Sequence, residues 1–77
     1  MARNARADIK RSLGLKVKDR RLSLNMSQEE LASEAEIRRA LISEIERGEA
    51  NPTLETVIRI ASALRLSLSE LFDLHFR

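Results

Sequence analysis

Apolar residues recur along the chain at intervals of three and four positions, the spacing that places them on one face of an α-helix. The pattern predicts five helices and no strand, and therefore an all-α fold. The first predicted helix runs from about Ile9 to Leu24, with Leu13 and Val17 on its apolar face. Residues 1–8 are polar, Arg-rich and poor in buriable side chains, and we expect them to form a flexible basic arm.

Polar residues mark where the later helices begin and end. Ser27 followed by Glu30 is a capping box that starts a second helix, and Ser67 followed by Glu70 starts a fifth. The third predicted helix spans about Arg38 to Arg47 and ends at Gly48. The fourth is capped by Asn51 or by Thr53 and carries an apolar stripe made up of Leu54, Val57, Ile58, Ala61 and Leu64.

The second and third helices are short and are separated by a tight turn near Glu36. Two helices joined in this way form a helix-turn-helix unit, whose second helix enters the major groove of DNA. Ile42 and Ile45 take the inward face of the third helix, so its outer face is left for base edges. That outer face predicts the base-contacting residues: Arg38, Arg39, Ala40, Ser43 and Glu44.

The charge distribution predicts where the DNA backbone is held. Residues 1–26 contain eight Lys and Arg against two acidic residues, whereas residues 27–77 contain six against ten. A basic leading segment suits phosphates, and so do the free amides at helix N-termini. The predicted phosphate-contacting residues are Gln28, Lys16, Lys18, Asn51 and Thr53. Arg21 and Glu46 are predicted to form an ion pair that fixes the first helix to the third.

Composition excludes several other classes of protein. The chain has no cysteine and a single histidine, His75, so we expect no disulfide, no metal site and no cofactor. Nothing resembles a nucleophile–base pair or a phosphate-binding loop, and we therefore expect no enzyme and no small-molecule substrate. No apolar run approaches the roughly 20 residues of a membrane span, and no secretory signal is evident. These features indicate a cytoplasmic protein that does not contact a membrane.

The combined motifs resemble the Cro/repressor-type, xenobiotic-response-element-like helix-turn-helix family, which includes phage repressors and restriction–modification controller proteins. The resemblance covers about residues 13–72 and rests on Ser27–Ala32, Ile42–Gly48, Asn51–Thr56, Ile60–Leu64 and Ser69–Phe72. It implies a compact five-helix, lambda-repressor-like bundle over residues 9–77. It also implies a bacterial or phage-encoded homodimer on a palindromic operator, paired through Leu66, Leu68, Phe72 and Phe76. The chain departs from the family pattern at Glu36 and Arg65, where Gly is common, and at Arg20, where an apolar residue is usual.

Several functional questions stay open at this level. The protein is expected to be a transcriptional regulator, either a controller or a Cro-like repressor. An antitoxin that binds both DNA and a toxin is an alternative, as is a protein-interaction module that has lost DNA binding. Leu68 and Phe72 fit the core of the monomer as well as a dimer interface. RNA polymerase is a further partner if the protein activates transcription, with acidic Glu34 and Glu36 as the candidate contact surface.

Overall fold

The computed structural model describes residues 5–73. Five helices follow one another: α1 (Ala5–Ser23), α2 (Gln28–Ala35), α3 (Arg39–Glu46), α4 (Leu54–Ala63) and α5 (Leu68–Leu71). All regular structure in the described range is helical, which confirms the all-α prediction. Helix α1 packs against α3, and α2 packs against both α3 and α4, so α2 and α3 lie between α1 and α4.

The core consists of aliphatic side chains drawn from all five helices. Leu31, Ile42 and Leu64 are completely buried, and Val17 and Leu71 are nearly so. The predicted stripe on α4 was wrong in part. Val57, Ala61 and Leu64 are buried as predicted, but Ile60 lies inside and Leu54 and Ile58 lie on the surface. Because α4 is covered on only one side, its apolar residues exceed what the monomer core accommodates.

Helix α1 begins earlier than predicted. Residues 5–8, assigned above to a flexible arm, form its first turns, while residues 1–4 lie outside the described residues. Ala5 and Ala7 favour a helix, and Asp8 stabilises the first turn by accepting a hydrogen bond from Arg11 at 2.8 Å. The first turn of α1 is therefore stabilised by local helix propensity and not by burial in the core.

The capping predictions are confirmed by the hydrogen bonds. Ser27 accepts from the Glu30 amide at 3.0 Å while Glu30 accepts from the Ser27 amide at 2.7 Å. Ser67 and Glu70 repeat the arrangement at the start of α5. Of the two candidates at α4, Thr53 is the cap, accepting from the Thr56 amide at 3.1 Å.

The turn between α2 and α3 uses a left-handed residue. Glu36 has φ 58° and ψ 45°, and the amide of Ile37 donates to the Ala32 carbonyl at 3.0 Å to close the helix. Asn25 and Arg65 adopt the same conformation after α1 and α4. A side chain in this region costs about 1–2 kcal/mol relative to glycine, so the departures at Glu36 and Arg65 carry local strain.

The strain at Glu36 leads to a first prediction. We expect Glu36→Gly to stabilise the protein by about 0.5–1 kcal/mol, because relief of the left-handed strain exceeds the added freedom of the unfolded chain. Urea unfolding monitored by circular dichroism measures the change. The matched control is Glu34→Gly, an exposed position inside α2, which should instead destabilise by about 1 kcal/mol. Equal losses at both positions would contradict the strain at Glu36.

Candidate nucleic-acid interface

The outer face of α3 presents the predicted base-contacting residues at the surface. Arg38, Arg39 and Ala40 are exposed, while Ser43 and Glu44 are half-buried. Arg38 is the N-cap residue of α3, but its side chain makes no capping hydrogen bond. Neither Arg38 nor Arg39 is paired with an acidic side chain within residues 5–73. Two guanidinium groups are therefore free at the front of this helix.

Arg47 belongs to the same surface and was missed by the sequence reasoning. Its guanidinium donates to the Ser43 hydroxyl one turn earlier and to the Glu49 carboxylate at 3.0 Å. The signal in the sequence is the four-residue spacing between Ser43 and Arg47, which puts both side chains on the same face of a helix. Its position means that Ser43 is engaged by a neighbouring cation before any ligand arrives.

A buried ion pair fixes α1 against α3. Arg21 donates to both carboxylate oxygens of Glu46, at 2.7 and 3.1 Å, and to the Met26 carbonyl at 2.8 Å. The two side chains are 9% and 4% exposed, so the predicted pair is present and buried. Hydrogen bonding to Glu46 raises the pKa of Arg21, and the guanidinium stays charged at any physiological pH.

The same pair also holds the start of α2. The Gln28 side-chain amide donates to Glu46 Oε1 at 3.0 Å. One N–H of that amide is thereby used, and its second N–H has no acceptor among the described residues. Glu46 therefore joins α1, the first residue of α2 and the end of α3, and sets how the two helices of the helix-turn-helix unit are presented together.

The other predicted phosphate contacts differ in their surroundings. Asn51 and Lys18 are exposed. The Thr53 hydroxyl donates to Thr56 Oγ1 at 3.0 Å, a bond that a phosphate would have to replace. Lys16 is half-buried. Hydrogen bonding with Ser67 lowers the pKa of Glu70 on α5, and the charges of Arg20 and Lys16 lower it to a smaller extent.

Arg20 has a structural role at the same end of the molecule. Its Nε donates to the Leu64 carbonyl at 2.9 Å, at the C-terminal end of α4. A cation at this end also suits the helix dipole. This contact accounts for an arginine where the family pattern usually has an apolar residue.

A group of apolar side chains is exposed on α4 and α5. Leu68 is 39% and Phe72 44% exposed, so the monomer core does not contain them, while Leu66 packs partly against it. Leu54 and Ile58 on α4 are exposed as well. Phe76, also predicted at a dimer interface, lies outside the described residues. Within residues 5–73, no helix is both long and apolar enough to cross a bilayer.

This arrangement of a capped α2, a left-handed turn and an α3 with a free polar face defines a helix-turn-helix DNA-binding protein. The Helix-turn-helix family model matches residues 17–71, and the chain belongs to that family. Control protein C.BamHI of Bacillus amyloliquefaciens is 43% identical over 67 residues, covering 86% of this chain and 83% of the relative. Control protein C.SmaI of Serratia marcescens is 42% identical over 64 residues, 83% of this chain and 76% of the relative.

Solved structures show the same fold. The restriction–modification controller protein C.AhdI from Aeromonas hydrophila superposes with a TM-score of 0.78 and 29% identity, over 80% of this chain and 94% of that one. A hypothetical transcription factor from Neisseria gives a TM-score of 0.83 and 28% identity, over 90% and 79% of the two chains. The five-helix assignment is thereby confirmed, and the protein is a DNA-binding transcription regulator of a family that consists of regulators and not enzymes.

Proposed function

We propose that the protein is a sequence-specific regulator that binds a palindromic double-stranded DNA operator as a homodimer and acts in the cytoplasm as a restriction–modification controller. The observation that carries the proposal is the pair of guanidinium groups at the front of α3, which make no ion pair within residues 5–73. The similarity to control proteins C.BamHI and C.SmaI over most of the chain favours the controller role over other regulators.

The proposed reading of bases follows from side-chain chemistry. Arg39 bonds guanine O6 and N7 with both arms of its guanidinium, while Glu44 accepts from cytosine N4. Ala40 contacts a thymine methyl group, and Arg38 and Ser43 complete the surface. Gln28, Asn51, Thr53, Lys16 and Lys18 hold phosphates on either side of the groove.

Homodimerisation supplies the second reading helix. A single α3 covers only a few base pairs, and a two-fold dimer places two such helices about 34 Å apart along the duplex. The exposed apolar residues of α4 and α5, including Leu68 and Phe72, suit an interface that pairs with itself. Leu66, which packs partly against the core, and Phe76, which lies outside the described residues, belong to the same proposed interface.

Selection of bound fragments from a random duplex pool tests the proposal. We expect enrichment of a symmetric site with half-sites one helical turn apart. Recovery of unrelated fragments by the folded protein would overturn it, and would favour a protein-interaction module. The antitoxin alternative has the same DNA-binding part and predicts, in addition, a stable complex with a toxin encoded beside it.

The Arg39 assignment yields a second prediction. We expect Arg39→Ala to lose roughly 1–3 kcal/mol of discrimination at one position of each half-site, with the other positions unchanged. Comparing enriched sites of the variant and the parent protein measures this change. Arg65→Ala, at the C-terminal end of α4, is the control and should leave the preferred site intact. Uniform weakening by Arg39→Ala at all positions would make Arg39 a phosphate contact.

If the protein activates transcription, RNA polymerase contacts Glu34 on α2 and Glu36 in the turn that follows. Glu34 and Glu36 are both exposed and neither is paired with a basic side chain in the described part of the chain. Charge reversal at both positions should abolish activation at a saturated operator without changing DNA affinity. Retention of activation would exclude this contact.

A further inference from the structure

The N-terminal part of α1 continues past the point where this helix meets the turn after α3. At 19 residues α1 is about 28 Å long. It passes the turn after α3 at Arg11, whose Cα is 3.1 Å from the position a side chain on Gly48 would take. Residues 5–10 extend past that point by about 9 Å.

This segment, which we name the α1 overhang (residues 5–10), carries the basic residues Arg6 and Lys10. Arg6 and Lys10 lie one helical turn apart and line an open cleft of about 540 Å³ that Gly48 completes. Arg6 is exposed and Lys10 half-buried, and neither makes a hydrogen bond or an ion pair within residues 5–73. The nearby acid, Asp8, is paired with Arg11. Among the described residues, the cleft therefore carries two positive charges without an acidic partner.

The overhang does not serve the core. Arg6, Ala7 and Ile9 are exposed, and the first buried side chain of α1 is Leu13. An amphipathic helix laid on a membrane would need an apolar face here, but Ile9 is the sole large apolar side chain of these residues. The cleft opens beside Gly48, where the chain leaves α3 and enters the loop that carries Asn51 and Thr53. Because Gly48 is only three positions before Asn51, the cleft lies close to the phosphate contacts proposed for this loop.

We propose that Arg6 and Lys10 bind backbone phosphates of the DNA that α3 reads, next to those held by the α3–α4 loop. This inference rests on the proposed function and deepens it, because it adds a sequence-independent contact from an element outside the helix-turn-helix unit. Phosphate contacts of this kind release counterions and raise affinity for every duplex alike.

The dependence of DNA affinity on salt tests this assignment directly. Each lost phosphate contact lowers the slope of log K against log salt by about 0.9, so we expect Arg6→Gln with Lys10→Gln to lower it by about 1.8. If the parent protein and the double variant bind equally at 1 M salt, this difference in slope makes the double variant bind roughly 30-fold more weakly at about 0.15 M salt. The loss should be equal for the selected operator and for a scrambled duplex.

The controls separate this proposal from the function on which it rests. Arg65→Gln removes one charge at the far end of α4 and should leave the slope unchanged. Circular dichroism should show that the double variant remains folded, since both side chains lie outside the core. If the parent protein selects an operator but the slope of the double variant equals that of the parent, the overhang assignment is wrong and the proposed function stands. If no duplex is selected, the proposed function itself fails.

A duplex with single neutral methylphosphonate linkages locates the contact. Neutralising the phosphate that faces the cleft should weaken DNA binding by the parent protein roughly five-fold at about 0.15 M salt and leave binding by the double variant unchanged. Failure of every position to show this difference would overturn the proposal.

Discussion

Gly14→Ala is expected to destabilise the protein by about 2–3 kcal/mol, although alanine is the better helix former. A Cβ at this position would lie 2.3 Å from the Ile45 carbonyl oxygen and 2.9 Å from that of Glu46. Both neighbours are backbone atoms at the end of α3, so no change of rotamer relieves the contact. Helices α1 and α3 would have to separate, which loosens the packing of Val17 and Ile45.

Urea unfolding and the midpoint of thermal unfolding measure the effect. A loss of this size should lower Tm by about 10–20 °C in a domain of this length. The pair Lys18→Gly and Lys18→Ala provides the reference at an exposed position of the same helix, where alanine should exceed glycine in stability by about 1 kcal/mol. If alanine is more stable than glycine at position 14, as it should be at position 18, then α1 and α3 are not in contact at Gly14.

Gly14 also shows where sequence reasoning reached its limit. In the sequence, a glycine inside a helical pattern reads as a weakness or as a helix start. Its use becomes visible only when a second backbone, 31 residues away at Ile45, is placed against it. Close approach of two helices is a tertiary property, and no periodicity within α1 encodes it. The capping boxes at Ser27 and Ser67, in contrast, involve residues three apart and were predictable.

In the candidate interface, too, local features were predictable and tertiary contacts were not. The exposed positions of Arg38, Arg39 and Ala40 follow from which face of α3 is apolar, and the sequence predicted them correctly. The Arg47–Ser43 contact depends on side-chain direction, and the Gln28–Glu46 hydrogen bond depends on a neighbouring helix. On α4, apolar character alone could not separate buried Ile60 from exposed Leu54, because a surplus of apolar residues conceals which face meets the core.

Arg21→Met and Glu46→Gln are each expected to destabilise the protein by about 3–5 kcal/mol. Arg21→Met leaves the buried carboxylate of Glu46 without its cation, and Glu46→Gln leaves the buried guanidinium of Arg21 without its anion. Arg21→Met also leaves the Met26 carbonyl without its donor. Losses of this size approach the total stability of many small domains, so unfolding should be measured at low temperature and with stabilising salt.

The double variant distinguishes the interaction from the cost of isolated charges. Because removing both charges avoids a stranded ion, we expect it to be more stable than either single variant, with a coupling energy of about 2–3 kcal/mol in the double-mutant cycle. The Arg59 and Glu55 pair on α4, 43% and 69% exposed, is the matched control and should couple by only about 0.3–0.5 kcal/mol. Additive losses at Arg21 and Glu46 would show that the two side chains do not interact. Because Glu46 also holds Gln28, the destabilised variants should lose operator affinity even where they remain folded.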